Sequence, residues 1–87
     1  MLRVEHINDI MPHRILIESF DDEEIILNWL EENVGVGATL GRNLEWIAFF
    51  QPSWYLGDRY YSGSKPHGAY FYFKCEEDAL AFKLRWI

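Results

Sequence analysis

The chain ends in an aromatic alternation, Tyr70-Phe71-Tyr72-Phe73, followed by three acids, Glu76, Glu77 and Asp78, and then by Ala79, Leu80, Phe82, Leu84 and Trp86 at helical spacing. A period of two gives way to a period near 3.6, so a strand feeds a helix here. The acids stand where the positive end of the helix dipole favours negative charge. A chain of 87 residues forms one domain, residues 1–87. At that size folding buries only about 60 to 65% of the unfolded surface, so the core must be dense. Aromatic residues at 17% of the chain supply that density, because each ring buries roughly 150 to 250 Å².

A second helix is predicted between Phe20 and Gly35. Asp21 is placed as its N-cap with Glu24 three positions on, and Phe20 can staple onto Ile25. Gly35 closes it as the residue beyond the C-cap. Ile25, Ile26, Leu27, Trp29, Leu30 and Val34 fill one arc, and Glu24, Asn28, Glu31 and Glu32 line the other. His13 to Ser19, with Ile15, Leu16 and Ile17 at its centre, reads as a strand, and Leu2 to Ile7 as another. Asn8, Asp9 and Pro12 punctuate the gap, and a hairpin joins the two. Downstream, Gly35, Gly37 and Gly41 with Thr39 and Asn43 read as a flexible connection. Leu44 to Phe50 reads as a strand ended by Pro52, Ser53 to Gly68 as a loop or irregular hairpin, and Ala69 to Cys75 as the last strand.

The expected order is therefore ββαββα, an α+β domain. A ferredoxin-like plait, the split βαβ arrangement, needs a final strand that this order lacks, and the extra N-terminal strand can take its place. The expectation is a four-stranded, mainly antiparallel sheet with two helices on one face.

The chemistry the sequence supports is narrow. The glycine cluster follows a helix and leads to a strand, the reverse of a phosphate-binding loop, and no Gly-Lys-Ser/Thr is present. His6, His13, His67 and Cys75 match no zinc-ligand spacing, so no metal or cofactor is expected. Glu76, Glu77 and Asp78 disfavour a reactive thiolate at Cys75, which reads as a buried or strand-end structural cysteine. The paired acids are helix-start and exposed-face groups, so no catalytic residue is assigned and no enzyme is expected. A single cysteine, and no apolar run near the ~18 residues of a membrane span, point to a soluble cytoplasmic protein.

Charge and aromatic residues carry the binding content. The formal net charge is −6, and the excess lies on Glu18, Asp21, Asp22, Glu23, Glu24, Glu31 and Glu32, a stretch with neither Lys nor Arg. Such a field attracts basic partners and repels phosphate and membrane surfaces. If Phe71 and Phe73 are core, Tyr70 and Tyr72 face outward. Gly68 to Phe73 followed by Glu77, Asp78 and Ala79 resembles the third strand and second helix of an RNA-recognition module, which stacks bases on such a face. The first strand, however, offers Ile15, Leu16 and Ile17 where that family carries an aromatic, and Arg59, Lys65 and Lys74 form only a thin basic strip. On the last helix Ala79, Phe82 and Trp86 make one apolar stripe and Leu80, Leu84 and Ile87 another. Lys83 between them either snorkels or marks a helix gripped from two sides.

The closing pattern of Phe71, Phe73, Asp78, Ala79, Phe82, Lys83, Leu84, Arg85 and Trp86 resembles the end of small tailed-bacteriophage proteins. That resemblance covers the last fifth of the chain and implies a source and size class with no catalytic residues. The resulting expectation is a non-catalytic phage accessory protein that binds a host or phage protein. Trp54, Tyr55, Tyr60, Tyr61, Tyr70 and Tyr72 are the contact candidates, and Glu24, Glu31 and Glu32 would steer a basic partner. Self-association through the same face is a further option, and single-stranded nucleic acid is the alternative ligand.

Overall fold

The computed structural model describes residues 7–38, 47 and 49–87. Within them a 3₁₀ turn, Ile7–Asp9, leads to strand β1 (His13–Ile17), helix α1 (Glu23–Asn33), strands β2 (Gly37–Ala38), β3 (Trp54–Ser62) and β4 (Lys65–Phe73), and helix α2 (Glu76–Trp86). The fold is α+β, with a four-stranded open mixed sheet in the order β1-β4-β3-β2. β4 is antiparallel to both β1 and β3, whereas the two-residue β2 lies parallel to β3. β1, β2 and β3 therefore run one way and β4 the other.

α1 is fixed by its ends. Asp22, in extended conformation, accepts the Glu24 backbone N–H at 3.0 Å, so the N-cap is Asp22 and Asp21 lies one residue outside. The Asp22 carboxylate thereby satisfies the amide at the second helical position, one of the helix's unpaired N–H groups. The helix stops at Gly35, which has φ +134° and donates its N–H to the Leu30 carbonyl at 3.0 Å. The buried strip is narrower than the apolar arc. Ile26 and Leu30 are fully covered and Leu27, Trp29 and Val34 half-buried, but Ile25 is 56% exposed.

Phe82 organises the main core. Its ring lies 4.9 Å from Phe71 and 5.0 Å from Phe73, with Trp29 of α1 at 6.1 Å and Trp86 meeting Trp29 edge-on. Ile15, Ile17, Trp54, Leu56, Ala69 and Ala79 complete this layer, which places both helices on one sheet face. α2 uses only one of its stripes. Leu80, Leu84 and Ile87 are exposed, and Lys83 is exposed between them.

The opposite sheet face is not bare. Met11, Ile47 and Tyr72 form a second buried cluster, with Ile7, Ile10, Tyr55 and Tyr70 packed against it. Several expectations change accordingly. Ile47, Phe49 and Phe50 are helical, with Gln51 N–H bonded to the Ile47 carbonyl at 2.8 Å, so this part of the expected Leu44–Phe50 strand is a helical turn. Ile47 then seals the second face in a way an extended segment on the sheet edge would not. The supposed flexible connection contains β2, and Gly37 is required there because any side chain would collide with the Trp54 indole. Of the two readings of Ser53 to Gly68, the irregular hairpin is the one found: β3 pairs with β4, with register shifts between Leu56 and Arg59 and between Tyr60 and Tyr61. Cys75 is exposed at the α2 N-cap position. Ile7 of the expected Leu2–Ile7 strand is in the 3₁₀ turn. The rest of that strand, with His6, Thr39, Gly41, Asn43, Leu44, Trp46 and Ala48, lies outside the described residues.

Truncating Phe82 leaves Phe71, Phe73 and Trp29 around a void. Phe82→Ala is expected to lower stability by about 3 to 5 kcal/mol. Leu84→Ala, on the exposed stripe, should change it by less than about 0.5 kcal/mol. Urea unfolding of both variants checks the contrast, and comparable losses would contradict this placement of α2.

Candidate functional site

Strand parity builds the site. With Phe71 and Phe73 under the helices, Tyr70 and Tyr72 must project from the other face, and the register sets Leu16 and Arg14 of β1 opposite them. On β3, Tyr55 pairs with Tyr72 across the ladder, their rings 5.9 Å apart. The irregularity after Leu56 then resets the alternation, so that Arg59 returns to the helix side and Tyr60 to the tyrosine side. Gly57 sits within this bend, where a Cβ would stand 2.7 Å from the Tyr72 ring. A larger residue there would push that ring out of the sheet surface.

The outcome is a tyrosine face with two ends. At one end Tyr72, 9% exposed, is covered within the Met11 and Ile47 cluster. At the other, Tyr60 is 43% exposed and Tyr70 half-buried, their rings 5.9 Å apart. The Arg14 guanidinium lies 4.8 Å from the centre of the Tyr70 ring, completing a row Arg14-Tyr70-Tyr60 across β1, β4 and β3. A cation over the ring face is favourable and holds both side chains in place. The hydrogen bond of Tyr60 to the Tyr70 side chain holds the Tyr60 phenol above its ordinary value. Burial, with Asp58 and then Tyr72 adding to it, pushes the Tyr55 phenol up as well.

The other aromatic candidates separate. Trp54 is only 2% exposed and donates its indole N–H to the Gly35 carbonyl at 2.8 Å, so it is a core residue that ties β3 to the end of α1. Tyr72 is likewise a packing residue. Tyr61 is exposed. Arg59 grips Glu23 at the start of α1 through two nitrogens, with Nη2 2.8 Å and Nε 2.9 Å from the carboxylate oxygens. Lys74 bonds to Gln51 at 2.8 Å. Two of the three side chains in the thin basic strip are thus engaged within the protein.

Glu24, Glu31 and Glu32 are exposed on α1, across the sheet from the tyrosine row. The acidic ridge and the tyrosines cannot meet one small partner surface together. Three further surface residues carry no signal in the sequence pattern. Arg14 was hidden because its pairing partner is a long-range neighbour. Phe49 and Phe50, 81% and 59% exposed with rings 5.1 Å apart, have the spacing of a strand but lie on a helical turn. Among the described residues no three His, Cys, Asp or Glu side chains gather to hold a metal ion, and no helix is long and apolar enough to cross a membrane. Comparison of the chain with protein families, with curated proteins and with solved structures yields no match.

Two pH-dependent outcomes follow from the raised phenols. Tyr55 holds its proton in the folded state at pH values where the unfolded chain releases it. Stability should therefore fall as pH rises from about 10 through the folded value, and Tyr55→Phe should reduce that alkaline loss. Tyr70→Phe removes the hydrogen-bond partner of Tyr60, so the Tyr60 midpoint should move down toward the ordinary range. Ring-carbon NMR titration reads both phenols, and an unmoved Tyr60 midpoint would contradict the pair.

Proposed function

We propose that this chain is a non-catalytic binding module that captures a protein partner on the open end of its second sheet face. Tyr60 and Tyr70 are the anchors, with Arg14 beside them and Tyr61 at the hairpin rim. The observation that carries this reading is the division of the face: Met11 and Ile47 cover Tyr72 at one end, while Tyr60 and Tyr70 keep accessible ring surface at the other. Tyr and Arg are the residue types that dominate binding energy at protein interfaces, and a rigid strand holds them at little entropic cost.

The frame is read as a variant of the ferredoxin-like split βαβ plait. β1 and β2 run parallel with α1 between them, and the hairpin β3–β4 takes the place of the single strand usually inserted there. The likeness of the terminal block to tailed-phage proteins makes proteins of a bacterial host and of the phage the first partners to screen. Arg14 beside two tyrosines also favours a second reading, base stacking of single-stranded nucleic acid. The net charge of −6 and the internal pairing of Arg59 weigh against it.

Tagged wild-type protein and a Tyr60→Ala/Tyr70→Ala variant, compared on bacterial lysate and on single-stranded oligonucleotide at low and moderate salt, separate these. The expected result is a stoichiometric protein partner that the variant retains at least about tenfold less well, with no oligonucleotide bound. Oligonucleotide retention that falls with salt would support the second reading. Equal partner retention by both proteins would remove the tyrosine row from the interface.

A further inference from the structure

On the helix-covered side of the sheet, a cleft of about 290 Å³ opens where β1 ends, α1 begins and Trp86 of α2 closes the wall. Its lining is chemically two-sided. Ile17, Phe20, Ile25 and Ile26 make an apolar floor, and Asp21 and Asp22 stand at the edge, both exposed. Among the described residues neither carboxylate has an ion-pair partner, whereas nearby Glu23 is taken by Arg59. Asp22 uses one oxygen to cap α1. The apolar floor is also left partly uncovered, since Ile25 keeps 56% of its surface exposed.

The volume is at the lower limit for small-molecule pockets, about 300 Å³. It suits one long side chain better than a cofactor. We infer that the cleft takes an arginine side chain from a partner protein. The aliphatic stem lies on Ile17, Ile25 and Phe20, and the guanidinium pairs with Asp21 and Asp22.

Charge selects the occupant. The carboxylates of Glu18 to Glu32 other than Glu23 form an uncompensated negative field that draws a cation to this side of the molecule. Arginine fits better than lysine because its planar fork meets carboxylates with paired hydrogen bonds and gives up hydration more readily. Arg85 already stacks on Trp86, 4.2 Å from the ring centre. The incoming cation is therefore directed to the two aspartates rather than to that ring. This site lies across the sheet from Tyr60 and Tyr70, so either surface can fail a test without the other.

Titration of the whole chain with N-acetyl-arginine N-methylamide, read by amide and indole NMR, tests the inference. Saturable shifts are expected at the Trp86 indole and at residues 17–26, with none at Tyr60 or Tyr70. The citrulline analogue, which has the same shape without the charge, should bind roughly tenfold or more weakly. Asp21→Asn combined with Asp22→Asn should reduce the arginine probe to the citrulline level. The fold should survive that change because Asn caps a helix as well as Asp, and Asp21→Asn alone, which leaves the cap intact, should give part of the loss. Equal binding of the two probes, unchanged binding by both variants, or no saturable shift at residues 17–26 would overturn it.

Discussion

The contact on which the rest of this structure depends is the Phe82 ring seated between Phe71 and Phe73. A one-residue slip of a strand carries every side chain to the opposite face. By holding Phe71 and Phe73 under α2, Phe82 settles the parity of β4, which lies inside the sheet with a strand on each side. Everything on the second face is then obligatory. Tyr70 and Tyr72 must project away from the helices, and antiparallel pairing brings Arg14 and Tyr55 to the same side. Aromatic contacts of this kind add about 0.5 to 1.5 kcal/mol each beyond the area they bury. In a domain with so small a core, three rings around Phe82 form a large part of what secures the sheet.

Much of this was legible in the sequence wherever one element signals its own structure. The 3.6 period of α1, its closing Gly35, and the switch from alternation to helix at Phe73 are local patterns, and the structure keeps them. What was not legible depends on contacts between distant segments. Gly57, Asp58 and Arg59 interrupt the alternation of β3, so a nine-residue strand resembles a loop until its register with β4 is known. β2 is two residues long and exists because Gly37 can lie against Trp54. Ile47, Phe49 and Phe50 mimic a strand in spacing but form a helical turn that packs Ile47 on Tyr72. The sequence of β4 showed which residues share a face. It held no sign that another segment covers half of that face, and so Tyr72 looked like a contact residue when it is core; Trp54, within a stretch that resembles a loop, is core on the opposite, helix-covered face.

The surface that remains divides by charge and by side. Arg14, Tyr70 and Tyr60 form a row on one side of the sheet. The acidic face of α1, with Glu24, Glu31 and Glu32, occupies the other. The Arg59–Glu23 pair at the start of α1 joins the hairpin to the helix and withdraws the strip's best-placed cation from any ligand. A small protein with two chemically distinct sides can engage two partners, or two regions of one large partner, without competition between them.

The tyrosine face is sealed at the Tyr72 end and open at the Tyr60 end. Solvent paramagnetic relaxation of each tyrosine ring, measured by NMR with a neutral soluble probe, examines it directly. Strong relaxation is expected at Tyr60 and Tyr61, intermediate values at Tyr70 and Tyr55, and almost none at Tyr72. Relaxation at Tyr72 as strong as at Tyr60 would contradict it, since the second face would then be open along its whole length.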